Sequence, residues 1–158
     1  MTQKAPAAED WSWDDDWIHG FFLREPEPDR QLWHSELVLD IDHIVEWMKP
    51  DEAGLIRWRV APATLVFHDV SDVRIGIDFS RHWPGNLILL PSIHLIEAVP
   101  VSSSPGYRGP PRFAWRIVLN EPPEGEVALV ATGYTLTLRD EPRIAGEKES
   151  PRVPLVLP

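Results

Sequence analysis

Carboxylate and imidazole side chains are concentrated in two short segments of the sequence. Asp40, Asp42 and His43 lie in the first segment, and His68 and Asp69 lie in the second. Paired carboxylates can bind a hard cation or divide acid and base roles, and histidine adds a nitrogen ligand. These five residues are therefore the candidate ligand-pocket residues, provided that the fold brings the two segments together.

A charged outer face of a sheet explains the same carboxylates without any ligand. If Asp40 and Asp42 share one face of a strand, arginines of neighbouring strands, such as Arg59, can pair with them. Such cross-strand pairs contribute ~0.2–1 kcal/mol each. His68 and Asp69 also fit a tight turn, in which short acceptors bond backbone amides. The sequence favours this structural explanation over a binding site.

Metal, cofactor and nucleophile chemistry have little support in the sequence. Cys is 0, which removes thiolate ligands and cysteine nucleophiles. The 6 histidines are scattered, and no two of them have the close spacing of a metal-binding pair. No Gly-x-Ser-x-Gly elbow, phosphate-binding loop or dinucleotide fingerprint occurs. We therefore predict no metal, no cofactor and no catalytic residue, and we favour a protein that is not an enzyme.

The charge of the chain excludes several partners. Lys+Arg is 15 and Asp+Glu is 25, giving a net charge of −10. Nucleic acid or an anionic membrane would be repelled, and the longest aliphatic run, residues 87–90, is far below the ~20 residues that cross a bilayer. A basic protein partner is compatible, although solubility alone explains the charge. The lack of cysteine and of an apolar N-terminal segment predicts a cytoplasmic location.

Tryptophan is abundant, with 8 in 158 residues. Trp11, Trp13 and Trp17 lie among acidic residues at the N-terminus, and disordered segments are poor in aromatic residues. We expect this arm to dock by its rings on its own sheet or on a second copy, so these three are candidate interaction residues. The remaining tryptophans fit a core or an aromatic-lined pocket.

Alternation of apolar and polar residues with a period of two runs through most of the chain and predicts β-strands. Pro62 within the third predicted strand indicates an edge or a bulge, and Gly133 indicates a bulge in the last. Residues 41–48 also fit a helical spacing, so a helical turn at the end of the second strand stays open. Strands are predicted at residues 17–23, 33–48, 58–67, 72–79, 87–99, 113–119 and 126–139.

The predicted fold class is all-β. Short connections favour antiparallel neighbours, and we expect a single antiparallel sheet of about seven or eight strands, curled into a sandwich or open barrel. Residues 1–16 form the acidic N-terminal arm, residues 17–140 the β domain, and residues 141–158 a Pro-rich tail.

Three segments carry a resemblance to a known family. Residues 39–47 (LDIDHIVEW), 60–72 (VAPATLVFHDVSD) and 131–134 (ATGY) resemble a family of small bacterial proteins of unassigned function. The resemblance covers about residues 17–140 and implies a bacterial source but no activity or functional residue. The acidic, single-domain, antiparallel build is also similar in outline to toxin immunity proteins.

Two functions follow as hypotheses. The favoured one is a non-catalytic, cytosolic binding or interaction module that forms a homodimer, with a basic toxin as partner in an immunity-like variant. The alternative is a small-molecule-binding β-barrel, with or without enzymatic activity, whose pocket is lined by aromatic residues.

Overall fold

The computed structural model describes residues 12–31, 33–80, 90–102, 105–106 and 108–145. These residues form an all-β fold with one antiparallel sheet, which confirms the predicted fold class. A short 3-10 helix, Pro28–Arg30, lies between the first two strands. The strands are β1 (Asp16–Arg24), β2 (Glu36–Trp47), β3 (Trp58–His68), β4 (Ser71–Gly76), β5 (Ser92–Pro100), β6 (Phe113–Glu121), β7 (Glu126–Ala131), β8 (Gly133–Leu138) and β9 (Arg143–Ala145).

The strand order is β4-β7-β6-β5-β1-β2-β3-β8, with β9 also paired to β3. Strands β7 and β8 follow each other in the chain, yet they lie near opposite ends of this order. Only Thr132 separates them, so the sheet must curl until its two halves face each other. Among the described residues β4 and β8 do not pair, and the sheet is not closed into a barrel.

The inner face of the curled sheet holds an aromatic core. Trp115 packs against Phe67 with ring centroids 5.4 Å apart and against Tyr134 at 5.5 Å. Alternate residues of β6 point into this core, and the residues between them face outward. The core therefore joins β3 and β8 of one half of the sheet to β6 of the other.

Strand β2 is buried on both faces. Leu37, Leu39 and Ile41 belong to the inner core. Asp40 and Asp42 point to the opposite face, because successive side chains alternate, and they are buried as well. A strand with carboxylates on a buried face needs a partner for each of them.

The prediction of one continuous strand at residues 126–139 is wrong, because this segment forms two strands. The chain turns at Thr132, whose N–H donates to the carbonyl of His68 at 3.0 Å, and β7 and β8 are separate strands. Gly133, where a bulge was predicted, is therefore the first residue of β8 and not a bulge within one strand. Apolar alternation continues across this corner, so the period does not reveal it.

Strands β3 and β4 are not neighbours, although only two residues connect them. This corrects the expectation that short connections join paired strands. Asp69 and Asp72 adopt positive φ angles of 52° and 55°, and this local backbone turns the chain from one half of the sheet to the other. β4 then pairs with β7.

Pro62 lies inside β3 and marks neither a sheet edge nor a bulge. β8 pairs with β3 up to Ala63, and β9 resumes the pairing at Val60. In the gap, the N–H of Arg139 donates to the carbonyl of Pro62 at 2.8 Å. The nitrogen and the carbonyl of a strand residue face the same side, so the nitrogen of Pro62 also faces the gap between β8 and β9. The missing N–H of Pro62 therefore removes no hydrogen bond from either strand pairing.

The remaining boundaries follow the prediction closely. Residues 41–47 stay in β2 as a strand, without a helical turn at its end. The predicted strand at 87–99 starts at Ser92, and residues 87–89 lie outside the described residues. Within the predicted tail, Arg143–Ala145 forms β9 and extends the sheet.

Candidate functional site

The sequence-predicted pocket residues occupy three different environments. His43 lies inside the curled sheet, and Asp40 and Asp42 lie on the opposite, covered face of β2. His68 and Asp69 lie at the corner between β3 and β4, where they line a pocket. The structure therefore brings His68 and Asp69 together but separates them from the other three.

His43 pairs with Asp16 in the interior. Its Nδ1 lies 2.6 Å from Oδ2 of Asp16, and Oδ1 of Asp16 accepts the N–H of Ile44 at 2.7 Å. The ring of Trp13 lies 5.5 Å from that of His43 and covers the pair. Burial raises the pKa of Asp16 from 3.8 to about 6, and the bonds from His43 and Ile44 oppose the rise only in part.

Asp42 pairs with His19 across the same two strands. His19 Nε2 lies 2.9 Å from Oδ2 of Asp42, and both side chains are almost fully buried. The pairing register of β1 shifts between Ile18 and Gly20, so His19 occupies a bulge. Asp16 and His19 are three residues apart, so the alternation of side chains along β1 places them on opposite faces.

Asp40 accepts a hydrogen bond from Arg139, which follows β8. Both side chains are largely buried. Each buried polar residue on β2 thus has an opposite charge or a hydrogen-bonding imidazole beside it. Each pair offsets part of the cost of burying its polar groups. The pairs of His43 with Asp16 and of His19 with Asp42 are almost fully shielded from solvent.

A surface pocket of about 550 Å³ lies at the corner between β3 and β4. Its volume is within the range of ~300–1,000 Å³ that is typical of small-molecule sites. Segments that are distant in the sequence converge here, from the approach to β2, the end of β3 and the loop before β6. The lining residues are Gln31, Trp33, His34, Glu36, His68, Asp69, Gly109, Pro110, Arg112 and Thr132.

Glu36 is held on both of its carboxylate oxygens. His68 Nδ1 lies 2.9 Å from Oε1, and Arg24 donates to Oε2 at 2.7 Å. His68 Nε2 is in turn 2.8 Å from the hydroxyl of Thr135 on β8. Glu36 and His68 are register partners on adjacent strands, so the backbone pairing sets this geometry.

Asp69 is also held on both carboxylate oxygens. Its Oδ1 lies 3.3 Å from Nδ1 of His34, and its Oδ2 lies 3.8 Å from Nε of Arg112. Arg112 also donates to the Asp69 carbonyl at 2.8 Å and to the Ser71 hydroxyl at 3.1 Å. Arg112 therefore fixes the corner between β3 and β4 and one wall of the pocket.

Trp33 supplies the apolar wall of the pocket. Trp33 is 66% exposed, which is high for a tryptophan. An exposed aromatic ring beside polar groups is typical of a binding surface.

Sequence reasoning missed most of this pocket. Glu36 lies four residues before Asp40, so both side chains share one face of β2. This spacing is the only feature of the sequence that links Glu36 to the predicted pocket residues. Arg112 comes from a loop predicted as irregular, and Trp33 and His34 stood at the start of a predicted strand. Only the curled topology brings these segments together.

The candidate interaction residues have separate locations. Trp13 is buried at 4% exposure and packs within its own sheet, with its ring 5.8 Å from that of Tyr134. Trp17 is half-buried at the start of β1. Trp11 lies outside the described residues. The described end of the N-terminal arm thus belongs to the core of its own chain.

Comparison of the chain with protein-family models, curated proteins and solved structures finds no match. Across the described ranges, no group of three or more His, Asp or Glu side chains is arranged to hold a metal ion. In the same part of the chain, no helix has the length and apolar character required to span a membrane.

Proposed function

We propose that this protein is a non-catalytic binding module and that the pocket between β3 and β4 is its ligand-binding site. The observation that carries the proposal is the convergence of Trp33, His68, Asp69 and Arg112 around one accessible volume of about 550 Å³. In contrast, the pairs of His43 with Asp16 and of His19 with Asp42 are almost fully shielded from solvent. The pocket combines an apolar wall with fixed polar groups, as small-molecule sites do.

The ligand that fits this lining is a planar molecule with a hydrogen-bond acceptor. Glu36 and Asp69 already contact cations or imidazoles through both carboxylate oxygens. The groups that can still meet a ligand are the indole of Trp33, the exposed imidazole of His34 and the part of the Arg112 guanidinium that does not bond Asp69 or Ser71. An aromatic carboxylate can stack on the first and accept from the others.

Titration with 1-naphthoate, followed by the side-chain NMR signals of tryptophan and histidine, tests this proposal. We expect the signals of Trp33 and His34 to shift, and Trp33→Ala to weaken binding at least about tenfold. Trp47→Ala, which removes a partly exposed indole far along β2, is the matched control. The amine 1-naphthylmethylamine is expected to bind more weakly, since the carboxylates are already paired. Equal, weak shifts with both compounds would contradict the proposal.

A second candidate function rests on one further observation. Glu36, His68 and Thr135 form a hydrogen-bonded chain in which an imidazole bridges a carboxylate and a hydroxyl. The same order of groups activates the nucleophile of hydrolases. A fluorophosphonate tests this candidate. Labelling of Thr135 in the wild-type protein, together with no labelling in the His68→Asn variant, would indicate an acyl-transfer enzyme instead of a non-catalytic binding module. Absence of labelling in both proteins would favour binding alone.

A cytoplasmic location and a bacterial source are part of the proposal. A chain with 0 cysteines suits a reducing compartment. The net charge of −10 also keeps a basic protein partner compatible with the module, as in the immunity-like variant.

A further inference from the structure

Two tryptophans form an aromatic surface at one end of the sheet. Trp47 and Trp58 are register partners on β2 and β3, and their ring centroids lie 5.4 Å apart. Trp47 is 41% exposed and Trp58 is half-buried. This pair, which we call the tryptophan surface, lies at the opposite end of β2 from Trp33 and the pocket. Indoles side by side at a surface differ from the scattered apolar side chains that any protein exposes.

A small apolar cluster supports the tryptophan surface. Trp58 packs against Ile44, Val60 and Ala145, which are all buried and lie apart from the aromatic core. Ala145 is the last residue of β9 and the register partner of Trp58. The described part of the chain therefore ends directly beside the tryptophan surface.

The sequence that follows Ala145 has the composition of a segment that binds aromatic side chains. Residues 146–150 (GEKES) are polar, and residues 151–158 (PRVPLVLP) are apolar apart from one arginine. Pro151 and Pro154 have the P-x-x-P spacing with which proline-rich segments bind aromatic-lined grooves. Proline fixes the backbone before binding, so less conformational entropy is lost. The five residues of the linker span up to about 17 Å, which is enough to bring Pro151 onto the tryptophan surface.

We propose that residues 151–158 bind the tryptophan surface of their own chain. The short linker gives the segment an effective concentration in roughly the millimolar range. A proline-rich segment of another protein, or of a second copy, competes only at a similar concentration. The occupant of the tryptophan surface is therefore the segment of the same chain.

Paramagnetic broadening in the whole chain tests the proposal. The sequence has 0 cysteines, so Arg152→Cys carries a single nitroxide label at a defined position. We expect the indole N–H signals of Trp47 and Trp58 to broaden, and the signal of Trp33, at the other end of β2, to stay sharp. Signals of Trp47 and Trp58 that stay as sharp as that of Trp33 overturn the proposal.

Two double variants of the labelled chain distinguish specific binding from the effect of the linker alone. Pro151→Ala with Pro154→Ala keeps the length of the chain but removes the fixed backbone, so most of the broadening should be lost. Glu149→Ala with Ser150→Ala changes two linker residues, and this matched control should leave the broadening unchanged. Broadening that survives the replacement of both prolines would show that the linker alone brings the label near, and the proposal would be wrong.

A mixed sample distinguishes the same chain from a second copy. Labelled chains without isotope enrichment are mixed with unlabelled, isotope-enriched chains, and only the enriched chains are observed. We expect the signals of Trp47 and Trp58 to stay sharp in this sample. Broadening that grows with the concentration of labelled chains would place the segment on a second copy and contradict binding within one chain.

Discussion

The Nδ1 atom of His43 lies 2.6 Å from Oδ2 of Asp16, and both side chains are fully shielded from solvent. This pair connects β2 to the first residue of β1 inside the curled sheet. The dominant effect on the Asp16 carboxyl is desolvation, which raises its pKa from 3.8 to about 6. The folded protein therefore binds a proton at Asp16 more readily than the unfolded chain does.

The pKa of Asp16 predicts a specific pH dependence of stability. Because the folded pKa is the higher one, the contribution of Asp16 to the free energy of unfolding falls as pH rises from about 4 to about 6. The expected loss is on the order of 3 kcal/mol. Asp16→Asn should remove this dependence, so the difference in unfolding free energy between wild type and variant should shrink over the same range. Urea denaturation at several pH values measures it.

The control for this experiment is Asp29→Asn, which removes an exposed carboxylate. Its difference from wild type should be nearly constant over the same pH range. A constant difference for Asp16→Asn as well would show that Asp16 has similar pKa values in the folded and unfolded chain.

Arg139 is expected to be important for stability through Asp40. Arg139→Met leaves the largely buried carboxylate of Asp40 without its cation, which should destabilise the fold by about 3–5 kcal/mol. Replacing Asp40 by Leu in the same variant should recover most of the loss, because no buried charge then remains. Chemical denaturation measures both effects. Arg116→Met, which removes an exposed ion-pair partner, should leave the midpoint almost unchanged.

The next prediction concerns the N-terminal arm. Trp13 is 4% exposed, and Trp13→Ala should lower the free energy of unfolding by about 3–5 kcal/mol through lost burial and the cavity left behind. Trp33→Ala, at a 66% exposed indole, should change it by less than about 0.5 kcal/mol. Far-UV circular dichroism during denaturation follows both variants. If Trp13→Ala changed the free energy of unfolding as little as Trp33→Ala, the N-terminal arm would contribute nothing to the stability of the core.

Glu124 offers a stabilising substitution. Its φ angle is 67°, a left-handed conformation that costs a residue with a Cβ about 1 kcal/mol. Glu124→Gly should therefore raise the melting temperature by about 2–4 °C, as measured by calorimetry. Glu124→Ala removes the same charge but keeps the Cβ, and it should give no such increase.

The strands could be predicted from the sequence because each has a period of two that its burial enforces. β6 shows this well, since Phe113, Trp115 and Ile117 all point into the core. The order of the strands could not be predicted in the same way. Alternation continues through Thr132, and nothing in it distinguishes a bulge from a corner between distant strands.

The candidate site was less predictable than the strands. Residue type alone predicts His68 and Asp69 as candidates, but their pocket depends on Arg112 and Trp33, which lie far away in the sequence. Asp42 and His43 were grouped because they are adjacent, but adjacent strand residues point to opposite faces. Their partners, Asp16 and His19, lie on β1, and only the pairing of β1 with β2 brings them together.

The single residue between β7 and β8 has a consequence for how the chain reaches its folded state. β8 completes one half of the sheet and β7 the other, so neither half is finished until the last third of the sequence has been made. Topologies dominated by such distant pairings fold slowly, in roughly milliseconds to seconds. During synthesis on the ribosome, the earlier strands must wait with open edges, and this interval is when the chain is most exposed to aggregation.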